Sequence, residues 1–347
     1  MPEPLAGGRS PTPRRITGAV AAGAVAAAAR PSRTVLADAV QLVAGEVGRA
    51  VAGHDHAIEM AVATLLCGGH LLIEDLPGVG KTTLARALAQ AFALDVRRVQ
   101  GTPDLLPADI TGVSVPDGLG GSKPVFRPGP VFTNVVVVDE LNRVSARTHS
   151  ALLEAMEERR VTVDGETHAL PEPFMVVATQ NPHDAMGTFR LPHSLRDRFL
   201  CCITMGYPER SVEESLIGAL GTLVDPGQLR PVGGPGIVEG FVELVTSTHL
   251  TPSVRGYVLD LVGATRRHPE LAVGASPRAA IGLARLAAAR AAMEGRDFVM
   301  PDDVKRVAVP ALAHRVVLAP AAEASGTTAS DVLGNLLAEL PVPIGRQ

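Results

Sequence analysis

The stretch His70-Leu71-Leu72-Ile73-Glu74-Asp75-Leu76-Pro77-Gly78-Val79-Gly80-Lys81-Thr82-Thr83 limits what this chain can fold into more than any other part of it. Its first five residues are apolar and strand-like, and the run from Thr83 to Ala89 has helical spacing. A strand, a glycine loop and a helix in that order set backbone N–H groups and a helix N-terminus around a phosphate chain. Gly78 and Gly80 let the backbone approach the phosphates, Lys81 reaches the β and γ oxygens, and the Thr82 hydroxyl can ligate Mg²⁺. The chain holds three lysines against 29 arginines, and one of the three stands here. ATP or GTP is the implied ligand. One position departs from the usual G-x-x-x-x-G-K-[ST] pattern, because the first glycine is Asp75. Taken alone, the stretch can also be read as a Gly-rich turn in an unrelated fold.

At 347 residues the chain is long enough for two or three domains and a large core. A formal charge of -4, 3% aromatic residues and no Trp give neither a basic footprint nor stacking rings, so nucleic-acid binding is not expected. Cys67 and the vicinal pair Cys201-Cys202 form no disulfide framework and have no zinc spacing, which points to a reducing cytoplasm. The vicinal pair lies in an apolar run, 199–205, that reads as a buried strand, with Cys as a small hydrophobe. His54 and His56 read as solvent-facing residues at the start of a helix. Residues 1–33, rich in Ala, Gly, Pro and Arg, faintly imitate a secretory or twin-arginine signal. We read them as a disordered or low-complexity tail. No other stretch approaches the length of a membrane span, so membrane insertion is not expected.

Between residues 34 and 206 short apolar strands alternate with helical patterns, which predicts a parallel α/β sheet covered on both faces. The strands fall at 71–74, 96–100, 135–139, 175–179 and 200–204. The segment 160–170 alternates around Asp164-Gly165, a strong hairpin signal, and directly follows a helix predicted over 146–158. From 207 to 347 the chain reads as a small helical domain: a helix over 209–223, a Pro/Gly-rich linker over 225–236, then Ala- and Leu-rich helices without a convincing buried strand.

Four further motifs bear on chemistry. Val135-Val136-Val137-Val138-Asp139-Glu140 is a buried strand ending in two acids. At the C-terminal end of a parallel strand Asp139 can hold Mg²⁺ through its water shell, and Glu140 can orient and deprotonate the water that attacks a γ-phosphate. By itself the motif could be core with a charged strand end. The strand 174–179 leads into Gln180-Asn181-Pro182, where Asn181 can hydrogen-bond the attacking water or the phosphate, although a strand-terminal Asn is also a common turn residue. Arg196-Asp197-Arg198-Phe199 precedes the last strand, and Ser276-Pro277-Arg278 opens a helix. Arginines aimed at a γ-phosphate stabilise the charge that develops during transfer, and one can come from a neighbouring subunit.

This arrangement resembles the AAA+ ATPases, and specifically the MoxR family, from about residue 51 to about residue 315. Beyond the nucleotide motifs, the resemblance rests on the stretches 104–112 (DLLPADITG), 127–132 (RPGPVF), 139–143 (DELNR) and 152–159 (LLEAMEER), the last running into the hairpin. It implies an AAA+ P-loop core followed by a helical lid. It implies that Pro77, Gly78, Val79, Gly80, Lys81, Thr82 and Thr83 bind ATP as Walker A, and that Thr82 and Asp139 serve Mg²⁺. Glu140 completes Walker B, Asn181 is sensor 1, Arg198 the arginine finger and Arg278 sensor 2. Asp75 matches a variant common in the family. Arg196 stands where the family usually has Leu, and His193 where it usually has Glu.

The resemblance further implies a homo-oligomer, a hexamer in expectation, whose ATP hydrolysis drives chaperone-like remodelling or maturation of another protein. Clients with von Willebrand factor A domains and insertion of a metal cofactor are among the family's tasks. Two other functions compete: the ATPase subunit of a magnesium-chelatase-like complex, which a tetrapyrrole would stimulate, and a non-enzymatic nucleotide switch, which would have no use for Glu140.

Overall fold

The computed structural model describes residues 31–116, 124–181, 190–218 and 224–343. Two helices, α1 (Arg33–Ala50) and α2 (Asp55–Leu66), precede β1 (Leu71–Glu74) and α3 (Lys81–Ala91). Next come β2 (Val96–Gln100), α4 (Pro107–Thr111), a hairpin of β3 (Gly112–Val115) and β4 (Val125–Pro128), and β5 (Val135–Asp139). After α5 (Ala146–Glu158) a second hairpin forms from β6 (Arg160–Val163) and β7 (Glu166–Ala169), followed by β8 (Met175–Gln180), α6 (His193–Arg196) and β9 (Cys201–Ile203).

β1, β2, β5, β8 and β9 form one parallel sheet in the order β2-β5-β8-β1-β9. β1, β5, β8 and β9 are apolar runs with both faces covered, as a sheet built from crossover connections requires, whereas β2, at the edge of the sheet, buries only Val99. Leu71, Ile73, Val135, Val137, Met175 and Val177 face the side covered by α1, α2 and α3. Leu72, Val136, Val138, Val176 and Ala178 face Leu152, Ala155 and Met156 of α5. The register sets the functional geometry. β8 lies between β5 and β1, with Val138 opposite Ala178 and Glu74 opposite Gln180. The loop after β1, the acids ending β5 and the Asn after β8 therefore share the C-terminal edge of the sheet, where ligands bind in open α/β sheets.

The rest is mainly helical: α7 (Arg210–Gly218), α8 (Pro235–Thr246), α9 (Pro252–Thr265), β10 (Leu271–Val273), α10 (Pro277–Met293), α11 (Pro301–Leu312), β11 (Val317–Leu318), α12 (Pro320–Ala324) and α13 (Ala329–Glu339). α7 is shorter than the helix predicted over 209–223, of which 219–223 lie outside the described residues. β10 and β11 form an antiparallel pair that the sequence does not signal, since three and two partly exposed residues carry no periodicity. Packing does not separate this helical part from the sheet. Residues of α1 and α2 share one hydrophobic core with α8, α9, α10, α11 and α13.

Two expectations near the N-terminus need correction. Ser32 caps α1 by accepting from Val35 N–H at 3.3 Å, so residues 31–33 are part of the fold rather than of a tail. Arg33 starts the helix and donates to Thr248 Oγ1 (2.9 Å), Ser247 Oγ (3.1 Å) and the Arg296 carbonyl (3.1 Å), which ties α1 to the helical part. Residues 1–30 lie outside the described residues. His54, expected to face solvent, is buried, because the chain turns back at Gly53 (φ 79°) just before α2 begins. Cys67 and Cys201 are buried and Cys202 half-buried, and burial pushes the first two thiols up to about 12, out of reach of redox chemistry near neutral pH.

Candidate active site

The loop between β1 and α3 needs two left-handed residues, and glycines supply them: Gly78 has φ 86° and Gly80, the N-cap of α3, has φ 92°. Lys81 opens the helix, and its Nζ folds back to donate to the carbonyls of Asp75 and Leu76. Partial burial pulls the ammonium below its ordinary pKa, while the Asp75, Asp139 and Glu140 carboxylates pull it back up. Pro77 and Gly78 are exposed, and Val79, Thr82 and Thr83 half-buried, so the loop presents an open face.

Asp75 has a definite task in place of the missing glycine. Its carboxylate accepts from the backbone N–H of Leu76 (2.7 Å), Met205 (2.5 Å) and Gly206 (2.6 Å), tying the start of the loop to the segment that leaves β9. A glycine could not make that tether.

Asp139 is almost fully buried at the end of β5 and gathers three neighbours. Thr82 Oγ1 stands 3.1 Å from both of its oxygens, Thr179 Oγ1 donates to Oδ1 at 3.1 Å, and Arg98 Nε meets Oδ2 at 2.6 Å. A hydroxyl and a carboxylate side by side are hard oxygen donors that fit Mg²⁺ rather than a soft metal. Arg98 belongs to no sequence motif: it lies on β2, and only the pairing of Gln100 with Asp139 brings it near.

Glu140 adopts the left-handed conformation (φ 56°, ψ 49°), uncommon for a residue other than Gly and a frequent mark of functional positions. Its N–H donates to Thr179 Oγ1 (3.1 Å), and its half-exposed carboxylate pairs with Arg143 Nε at 2.7 Å. Asn181 follows β8, between the strands that carry the loop and the acids.

Arg198 and Arg278 do not stand beside this chain's own phosphate loop. Arg198 and Arg278 both form ion pairs with Oε1 of Glu157, in the last turn of α5, the second at 3.2 Å. That turn sits at the N-terminal edge of the sheet. Met156 O is bonded to His70 Nε2 just ahead of β1, and Arg159 donates to the carbonyls of Gly68 and Phe174. Arg198 likewise precedes β9, whose Cys201 pairs with Leu71 at the start of β1. The arginines and Lys81 are therefore a strand length apart, roughly 15 Å, on opposite edges of one sheet. Arg196 points away from Arg198, toward Glu74 Oε1 at 3.9 Å, in a cavity of about 670 Å³ also lined by Lys305 and Arg306. His193 takes its place through Nε2, 3.0 Å from the Arg315 carbonyl.

The lid grips the segment that carries Arg198. Arg315, 2% exposed, donates to the Phe199 carbonyl at 2.7 Å and to that of Asp197 at 3.2 Å, and burial lowers its pKa to about 10. His314 Nε2 bonds the Phe199 carbonyl at 2.8 Å, and Ser276, the cap of α10, donates to Asp197 Oδ1 at 3.1 Å.

Comparison with known proteins agrees with this architecture. Residues 70–201 match the ATPase family associated with various cellular activities (AAA), and residues 263–336 match the AAA lid domain. The uncharacterized protein YeaC of Bacillus subtilis is 41% identical over 303 residues, covering 86% of this chain and 93% of that protein. Chaperone MoxR1 of Mycobacterium tuberculosis is 37% identical, covering 86% and 81%, and protein MoxR of Paracoccus denitrificans 34% identical, covering 79% and 87%. A crystal structure of a protein from Cytophaga hutchinsonii superposes with a TM-score of 0.83 at 34% identity, covering 90% of this chain and 97% of that one.

Proposed function

The chain belongs to the MoxR family of AAA ATPases, and from that membership we propose that it hydrolyses Mg-ATP as an oligomer to remodel or mature a partner protein. What carries this reading is the division of the site between two edges of the sheet. Lys81, Thr82, Asp139 and Glu140 converge at the C-terminal edge, while Arg198 and Arg278 stand at the other. A second copy, set with its N-terminal edge against the first copy's nucleotide, completes the site, and a closed ring, a hexamer in this reading, repeats the arrangement.

Each residue then has a task. The loop N–H groups and Lys81 bind the β and γ phosphates, and Asn181 and Glu140 orient the attacking water, with Glu140 taking its proton. Thr82 and Asp139 would hold Mg²⁺, which would neutralise phosphate charge. Arg198 and Arg278 of the neighbour steady the charge that develops on the γ-phosphate.

Lys81→Ala and Glu140→Gln separate binding from hydrolysis. The first is expected to abolish ATP binding, because the backbone loop alone cannot balance the phosphate charge. The second is expected to bind Mg-ATP with native affinity and lose turnover, which also makes it a trap for capturing the client. Equal loss of ATP affinity in both variants, measured by titration, would contradict the assignment.

A further inference from the structure

We infer that Glu157 is a positioning residue for hydrolysis: its carboxylate holds Arg198 and Arg278 together so that both reach one γ-phosphate in the neighbouring subunit. The inference rests on the trans-arginine reading proposed above. Both guanidiniums meet the same oxygen, Oε1, although one is borne by the core and the other by the lid. Two cations aimed at one point repel each other, and an anion between them is the simplest way to keep them side by side before a phosphate arrives.

The backbones of both arginines are already fixed. Arg315 and His314 hold the Phe199 carbonyl beside Arg198, and Ser276, two residues before Arg278, is bonded to Asp197. Only the guanidinium ends remain to be placed. Glu157 is mounted to place them, because His70 and Arg159 pin the residues on either side of it to the base of the sheet. Its side chain is nonetheless 37% exposed, as is 48% of Arg278, so the cluster faces outward where a second chain can meet it. Arg198 Nε and Nη1 make no hydrogen bond among the described residues, and Nη1 meets Glu157 as an ion pair only, so Nε is left unused while Glu157 holds the guanidinium. The hairpin of β6 and β7 begins three residues after Glu157, so a pull on that hairpin acts on the residue that aims both arginines.

Steady-state hydrolysis, ATP titration and subunit mixing on the full chain test this. Glu157→Ala and Glu157→Gln are expected to lower kcat on the order of 10²-fold, the scale of a misplacement of about 1 Å, with ATP affinity unchanged. Glu157→Asp should recover part of the loss. Mixed with Lys81→Ala subunits, Glu157→Ala should regain turnover above the sum of the two alone, because intact arginines then serve an intact loop. Mixed with Arg198→Ala it should regain none, since both lesions lie on the arginine side. Full turnover in Glu157→Ala while Arg198→Ala is inactive would overturn the inference and leave the trans reading standing. So would recovery in the Glu157→Ala and Arg198→Ala mixture, which would put the effect of Glu157 in its own chain's site. Full turnover in Arg198→Ala would remove the premise, and the inference with it.

Discussion

His70 shows how one buried side chain fixes the base of the sheet. The Val176 N–H donates to Nδ1 at 3.0 Å, so the proton sits on Nε2 and is given to the Met156 carbonyl, also at 3.0 Å. Burial, reinforced by the Arg159 cation, lowers the imidazole pKa to about 3. Above pH 6.5 the ring is neutral in both states and its contribution is complete. As pH falls below 6.5 the unfolded chain takes up a proton that the folded chain refuses, and stability drains by about 1.4 kcal/mol per pH unit until pH nears 3. Between pH 7.5 and 5.5 the native chain is therefore expected to lose about 1.4 kcal/mol more than His70→Gln, measured by denaturant unfolding. Equal losses would show that the ring is not held neutral. Lys81, Asp139 and Glu140 were legible in the sequence because each closes a local pattern. Asp75, Arg98 and Glu157 were not, because their partners at 205–206, 139, 198 and 278 are brought near only by the sheet and the lid.

Among the elements, the core strands β1, β5, β8 and β9 followed directly from short buried apolar runs and the hairpin at 160–169 from Asp164-Gly165, and α5 has the predicted bounds. The hairpin of β3 and β4 went unseen, since its strands are only four residues long and largely exposed and carry no clear alternation. What holds it is aromatic. Phe126 of β4 stacks on His168 of β7 with centroids 4.0 Å apart and planes 8° from parallel, and Phe132 meets Phe126 edge-on at 5.4 Å. In a chain with eight Phe and two Tyr, two Phe are spent, with His168, on this contact between the hairpins. Such a contact is worth about 1 kcal/mol beyond area burial. Phe126→Ala is therefore expected to speed amide exchange in both hairpins and leave the β1, β5 and β8 amides protected. Exchange confined to β3 and β4 would mean that the hairpins are not coupled.

At the scale of the molecule, a nucleotide site and an arginine pair occupy opposite edges of a single sheet, and the lid that grips the arginines shares its core with α1 and α2. Motifs could name Arg198 and Arg278, but not the edge on which they stand, which depends on where α5 ends and where β9 begins. That placement is what the proposed assembly rests on. Losing a trans arginine costs about 10³ to 10⁵ in turnover in P-loop enzymes, and the cost should fall on kcat rather than on ATP affinity. The direct measurement is turnover in a mixture of Arg198→Ala and Lys81→Ala chains, each inactive alone. The account predicts activity above the sum of the two, from sites that pair an intact Lys81 with a neighbour's intact Arg198. No recovery from subunits shown to exchange, or full turnover in Arg198→Ala by itself, would contradict it.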